Sequence, residues 1–448
     1  MIAMRKRLEL KSDEGVSLVE VLVAMMVFTM IALGVGASLL ILVRMTEDTR
    51  SRLVASNLAT TEIDYVRGFD DPFAVVNKTT DRTVSGKKYT VARSTSWVEI
   101  SGADVACGSG GGIMRSKRVN VTVTWAGMLS TTKPVRSDTL ISPDDRINDP
   151  SLGTIRVSAL TAAGTGSAGV TVAVSPALAT APPATDADGC SYALKVKPGT
   201  YTVTLSRAGS VDSAQNASPS KTLEVTAGGS VAAQFQFDYS ATFALRYASN
   251  YSGAAPRLPE NLNTSFLSTY GLYVQSGRQS QATLHPFTGG YAVIAGKYAA
   301  PIPGNNGCVS VDPAAWPAAT VGGVALAAGL RNPNVGAAAG GQASMDIPMG
   351  VVSVKTTAER YVFAVPATPP AAANAPSCAV NTTYSFGKLA AGTQVLALPF
   401  GTWTFTTSTS SNGSSPSTVA QTDISVLSNT APQISGSNVT TLDPRSRK

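Results

Sequence analysis

Histidine is almost absent from this chain of 448 residues; His285 is the single one. Hydrolytic triads need a base, and histidine is the usual one. His285 precedes Pro286 in the turn-like stretch Leu284-His285-Pro286-Phe287-Thr288-Gly289-Gly290, which reads as a surface or core position. No Gly-x-Ser-x-Gly occurs, and no local pair of carboxylates proposes acid–base work. A non-enzymatic protein without a cofactor is expected. Cysteine is scarce as well. Cys107, Cys190, Cys308 and Cys378 stand far apart, with no Cys-x-x-Cys and no cysteine–histidine cluster of zinc-site spacing, so no metal is expected. Charged residues make up only 14%, against ~25% in ordinary domains. The net charge of +7 is scattered. No dense Lys/Arg stripe tracks a phosphate backbone, and nucleic acid is not an expected partner.

What is present is apolar and turn-rich. Hydrophobic residues reach 44%, enough for real cores, and 40 Gly and 26 Pro punctuate short segments. That texture is all-β over most of the length. The length itself favours more than one domain. An even number of widely separated cysteines in an exported chain leads to two disulfides, with three pairings open and free buried thiols as the alternative.

The N-terminus carries the sharpest signal. A polar leader, residues 1–15, holds Arg5, Lys6, Arg7 and Lys11; then comes Val16-Ser17-Leu18-Val19-Glu20; then an uncharged run from Val21 to Val43. As a helix that run extends roughly 34 Å, enough for a ~30 Å hydrocarbon core. The basic leader favours a cytoplasmic N-terminus. A secretory signal would have a shorter apolar region followed by its cleavage site. Here the small residue at the polar–apolar boundary is Gly15, ahead of the run, so cutting there leaves the membrane helix on the product. Glu20 is the anomaly, because a carboxylate costs about 2.5–3.5 kcal/mol near the bilayer centre.

Taken together, Gly15-Val16-Ser17-Leu18-Val19-Glu20 resembles the cleavage and methylation motif of type IV prepilins. The resemblance implies cutting after Gly15 by a prepilin peptidase and N-methylation of Val16. It also implies that Glu20 pairs with the N-terminal amine of a neighbouring subunit, since a buried charge is tolerated when paired. The family usually has Phe where Val16 stands, which points to a minor pilin or pseudopilin rather than a major pilin. The implied partners are other pilin or pseudopilin subunits, the plasma membrane, a pilus assembly platform and a surface ligand. The implied location is a single-pass inner-membrane protein with an extracytoplasmic C-terminus, later part of a surface pilus. Two alternatives remain open: a pseudopilin of a type II secretion or DNA-uptake system, and a singly anchored surface-binding protein.

The helix is expected to continue to Arg67. Val54, Ala55, Leu58, Ala59, Tyr65 and Val66 form an amphipathic stripe, and Gly68 stands at the C-cap. Leu53 to Arg67 resembles the matching part of the pilin V and pseudopilin I classes. Residues 68–142 read as a small antiparallel sheet. Strands are expected at 89–93, 96–98, 117–125 and 133–141, with Val119, Val121, Val123 and Trp125 on one face. The Gly-rich stretch Cys107–Gly112 is a loop, with no Lys-Ser/Thr to make it a phosphate loop. The fold expected is thus an α+β pilin-like module, a long helix (16–67) on a small sheet, followed by all-β sandwich domains.

After a polar break near 142–150, strand candidates at 153–159, 169–175, 190–197, 200–206 and 230–237 build a sandwich over 150–240. Thr185-Asp186-Ala187-Asp188-Gly189-Cys190 and Val196-Lys197-Pro198-Gly199-Thr200-Tyr201-Thr202-Val203 are similar to the carboxypeptidase regulatory-like β-sandwich. Asp186 and Asp188 read as a plain turn in preference to half a calcium loop. Leu398-Pro399-Phe400-Gly401-Thr402-Trp403-Thr404-Phe405 repeats the second string, and Ser377-Cys378 takes the part of Gly189-Cys190. With strands at 350–355 and 360–365, a second sandwich is expected over 345–440. Residues 241–344 read as irregular and β-rich, with strands at 269–274 and 290–294 and a long loop over 313–345. The aromatics Tyr247, Tyr251, Phe266, Tyr270, Tyr273, Phe287 and Tyr291 there are expected to fill a core.

Overall fold

The computed structural model describes residues 18–69, 72–99, 104–105, 107, 114–128, 132–141, 149–305, 307–378, 382–428 and 438–448. The leader 1–15, Gly15, Val16, the glycines of the 107–112 loop and most of the 142–150 break lie outside the described residues. The chain divides into two compact units, 1–105 with 114–147, and 106–113 with 148–448.

In the first unit a single helix runs unbroken from Leu18 to Arg67. Its buried residues are Ser51, Ala55, Ala59, Ile63 and Val66. Small side chains repeating every fourth residue bring the backbone close to a sheet. Val54 and Leu58 pack at the margin of this stripe. Tyr65 does not belong to it: the ring is exposed and lies edge-on to Phe69, while Ile63 takes the buried place. At the C-terminal end the Gly68 N–H donates to the carbonyls of Asp64 and Tyr65.

The sheet under the helix comprises β1 (Lys78–Val84), β2 (Lys87–Glu99), β3 (Asp104–Val105), β4 (Met114–Trp125) and β5 (Val135–Ile141). It is antiparallel in the order β1-β2-β4-β5, with β3 on β2. Val119, Val121, Val123 and Trp125 face the helix together with Tyr89 and Val91. Each large side chain buried in this way contributes about 1.5–3 kcal/mol. β1 was not expected; its exposed sequence Lys-Thr-Thr-Asp-Arg-Thr-Val shows no apolar alternation.

The second unit starts with a sandwich. Its strands are β6 (Gly153–Leu160), β7 (Thr171–Ser175), β8 (Cys190–Val196), β9 (Gly199–Ser206), β10 (Ser210–Asp212), β11 (Ser220–Val225) and β12 (Ser230–Tyr239). One sheet runs β10-β12-β6-β8 and the other β11-β9-β7. β12 lies parallel to β6, Ser230 opposite Thr154. Ile155, Val157, Val172, Val203, Leu205, Phe235 and Phe237 fill the space between the sheets. The turn before β8 is an Asx turn: Asp186 Oδ1 accepts from the N–H groups of Asp188 and Cys190, each at 2.9 Å. Gly189 has φ +75° there, and a Cβ would strike the Ala159 carbonyl oxygen.

From Ala241 to Leu442 one hydrophobic cluster is continuous, so no break in the core falls at residue 344. The strand Ala241–Tyr247 pairs in parallel with Gln342–Ile347, and Gly350–Thr356 and Arg360–Pro366 continue into the remaining sheets. Phe266, Phe287 and Tyr291 are buried in this cluster; Tyr247, Tyr251 and Tyr273 pack on it. Tyr270 is exposed but stacks on Phe287 at 4.3 Å. The 313–345 stretch is partly regular, with a short 3-10 turn at Pro313–Ala315 and a hairpin of Ala319–Val321 with Val324–Leu326.

The internal repeat reappears as geometry. Gly199 (φ +151°) opens β9, and Gly401 (φ +142°) opens the strand Gly401–Ser408. Two residues on, Tyr201 Oη donates to the Lys197 carbonyl and Trp403 Nε1 to the Pro399 carbonyl, both at 3.1 Å. Cys378 is not the counterpart of Cys190. Cys190 begins a paired strand, whereas Cys378 sits on an isolated bridge to Cys308.

Candidate membrane and assembly helix

The helix has two halves of opposite character. From Leu18 to Glu47 every residue is exposed, and the segment is apolar and long enough to cross a membrane. Among the described residues nothing covers Leu22, Phe28, Ile31, Leu39 or Leu42. A bare apolar helix near the N-terminus fits a membrane anchor or a signal sequence. The hydroxyls in this half are internally satisfied: Thr29 donates to the Met25 carbonyl at 2.6 Å and Ser38 to the Gly34 carbonyl at 2.9 Å. Such back-bonding removes their cost in hydrocarbon.

Glu20 lies in the first turn, exposed, beside Val21, Ala24, Met25, Phe28 and Thr29. The expected processing residues, Gly15 and Val16, lie outside the described residues.

The second half is clamped on the sheet by polar contacts that the sequence pattern did not reveal. Arg93 on β2 is 4% exposed; its Nη1 donates to Glu62 Oε1 at 2.8 Å, and its Nε to the Val76 carbonyl at 2.9 Å. Lys87 Nζ donates to Ser51 Oγ at 2.9 Å, Thr132 Oγ1 to Asp48 Oδ2 at 3.0 Å, and Arg67 Nη2 to Thr139 Oγ1 at 3.0 Å. The only advance signal was the arginine at an inward position of the alternating strand Tyr89-Thr90-Val91-Ala92-Arg93.

In the second unit the pairing of cysteines is Cys107 with Cys190 and Cys308 with Cys378. Cys107, between β3 and β4 in sequence, is bonded to Cys190, the first residue of β8. His285 is fully buried, and neither imidazole nitrogen has a hydrogen-bond partner. Burial pushes its pKa below the ordinary 6.5, against the pull of Asp238 and Asp212. Its backbone is held instead, the N–H by Gln215 and the carbonyl by the Tyr291 hydroxyl.

No protein-family model matches the chain, and no curated protein matches it. Among solved structures it is similar to the Bacillus anthracis TIE protein, at 12% identity and a TM-score of 0.20, over 75% of this chain and 68% of that one. It is similar to a streptococcal ancillary pilin at 9% identity and a TM-score of 0.17, over 52% of this chain and 75% of that one. It is also similar to BcpA, the major pilin subunit of Bacillus cereus, at 10% identity and a TM-score of 0.19, over 60% and 96%. With TM-scores this low, a functional reading rests on the helix and not on these neighbours.

Proposed function

We propose that this chain is a membrane-inserted, non-enzymatic subunit of a type IV pilus or a related filament, a minor pilin or pseudopilin. The observation that carries the reading is the division of one helix: Leu18 to Glu47 bare, Ser51 to Val66 docked on its own sheet. A helix exposed on all sides must be covered by lipid before assembly and by like helices after it. A prepilin peptidase cuts after Gly15, Val16 is methylated, and the new ammonium pairs with Glu20 of the adjacent subunit. In apolar surroundings that pairing is what makes the carboxylate tolerable. The second unit, 148–448, is too bulky to repeat at every step of a thin filament. A priming or tip position follows, with an adhesive role for its β body.

Substituting Glu20 with Ala tests the pairing. The variant stays in the membrane fraction and disappears from sheared filaments. Incorporation at the wild-type level would remove Glu20 from the assembly mechanism.

A further inference from the structure

The bond between Cys107 and Cys190 changes the route by which tension crosses the chain. Cys107 stands between β3 and β4 in sequence, and Cys190 opens β8, the edge strand of the sheet β10-β12-β6-β8. From the helix to any point beyond residue 240, the short covalent route runs through these two sulfurs. The stretch 108–189, which includes β4 to β7, lies off that route while the bond is closed. It enters the route only when the bond is absent.

Strand register decides what each route does to the sandwich. β8 is antiparallel to β6, with Cys190 opposite Ser158; β6 is parallel to β12, with Ser158 opposite Gln234. Tension that enters at Cys190 and leaves past Tyr239 thus enters and leaves toward one end of the sheet. It crosses two ladders, about 10 Å, rather than running the length of the strands. An edge strand drawn off from its first residue parts from its neighbour one register at a time, so few hydrogen bonds resist at once. Without the bond, tension enters at Gly153, the opposite end of β6. β6 and β12 are then drawn lengthwise past each other, and all the registers from Thr154–Ser230 to Leu160–Gln236 share the load. The Asx turn holds the first register of the peeling route. Asp186 Oδ1 accepts from the Cys190 N–H, and the Asp186 N–H donates to the Cys190 carbonyl, each at 2.9 Å. We propose that the Cys107–Cys190 bond makes the 150–240 sandwich a yielding element: under tension β8 peels from β6 and the chain from Cys190 to Ser240 is released. Softening the pull on a surface contact is its use, which rests on the adhesive role proposed above; the peeling itself does not.

The test stretches the full chain, in detergent micelles, between tags at its two ends in optical tweezers. A Gly-Ser insertion of known length after Ala227 lengthens the sandwich's step alone and so identifies it. In the wild type that step is about 16–17 nm, roughly fifty residues at ~3.5 Å each less the ~10 Å already spanned. In Cys107→Ser with Cys190→Ser it grows to about 28 nm, because the chain is then drawn out from Gly153. The variant's step also comes at the higher force. Should the variant show no sandwich step, folded wild type treated with a thiol reductant takes its place, with the same two shifts expected. Asp186→Ala, which frees Cys190 from its turn, lowers the force of the wild-type step. Equal forces with and without the bond, a lower force without it, or a wild-type step of the longer length overturns the proposal. A chain that peels as described but is absent from filaments removes only the adhesive use.

Discussion

Truncating Glu62 to Ala should loosen the helix from its sheet while leaving the apolar half untouched. Arg93 would then keep only the Val76 carbonyl as acceptor, with its side chain 4% exposed. Breaking a buried ion pair from one side costs about 3–5 kcal/mol. Glu62 is itself 21% exposed, so water reaches the vacated place and the lower end, about 3 kcal/mol, is expected. Hydrogen exchange of the full chain in detergent micelles reads this directly. At ~1.4 kcal/mol per decade, amides between 55 and 66 lose roughly a hundredfold in protection. The pair Glu62→Leu with Arg93→Met removes both charges and restores most of the loss, because two matched apolar groups leave nothing uncompensated. The reasoning is refuted if Glu62→Ala costs under about 1 kcal/mol, or if the double variant is as weak as either single one.

The buried histidine gives a pH dependence with a definite sign. The folded pKa of His285 lies below the free value of 6.5, so the unfolded chain binds the extra proton first. Its contribution is complete above pH 6.5 and is lost as pH falls toward the lowered folded value. Thermal midpoints of wild type should therefore drop faster than those of His285→Phe between pH 7.5 and 5.5; parallel curves would reject the assignment. At the other end of the second unit, Arg445→Ala should destabilise by about 3–5 kcal/mol. Its guanidinium holds the buried Asp443 and donates to the carbonyls of Pro317, Ala373 and Asn374. A shift of the thermal midpoint under about 2 °C would show that these contacts are dispensable.

Where side chains alternate with the backbone period, the sequence was readable. Val119 to Trp125 and five of the seven strands of the 150–240 sandwich follow from local pattern; the short β10 and the exposed β11 do not. The Gly-Thr-Tyr and Gly-Thr-Trp strings foretold two turns of the same geometry. The long helix was legible because an uncharged run and a small-residue stripe adjoin without Pro or Gly between Val43 and Arg67. What escaped was set by partners far away in the chain. β1 is polar on both faces and is held by pairing with β2. The strand Ala241–Tyr247 alternates well enough to be found, with Ala241, Phe243 and Leu245 inward, but its parallel neighbour a hundred residues on could not be guessed. Arg93 and His285 owe their interest to burial, and burial of a polar residue is invisible until the fold exists. Cys378 misled because a local likeness to Cys190 says nothing of which sheet a segment joins.

The central claim is that the helix, including Glu20, stays on a processed chain whose new amine begins at Val16. Mass spectrometry of the native protein purified from membranes measures this directly. The account predicts a first residue of N-methylated Val16. An intact leader, or a chain beginning after residue 43, would contradict it.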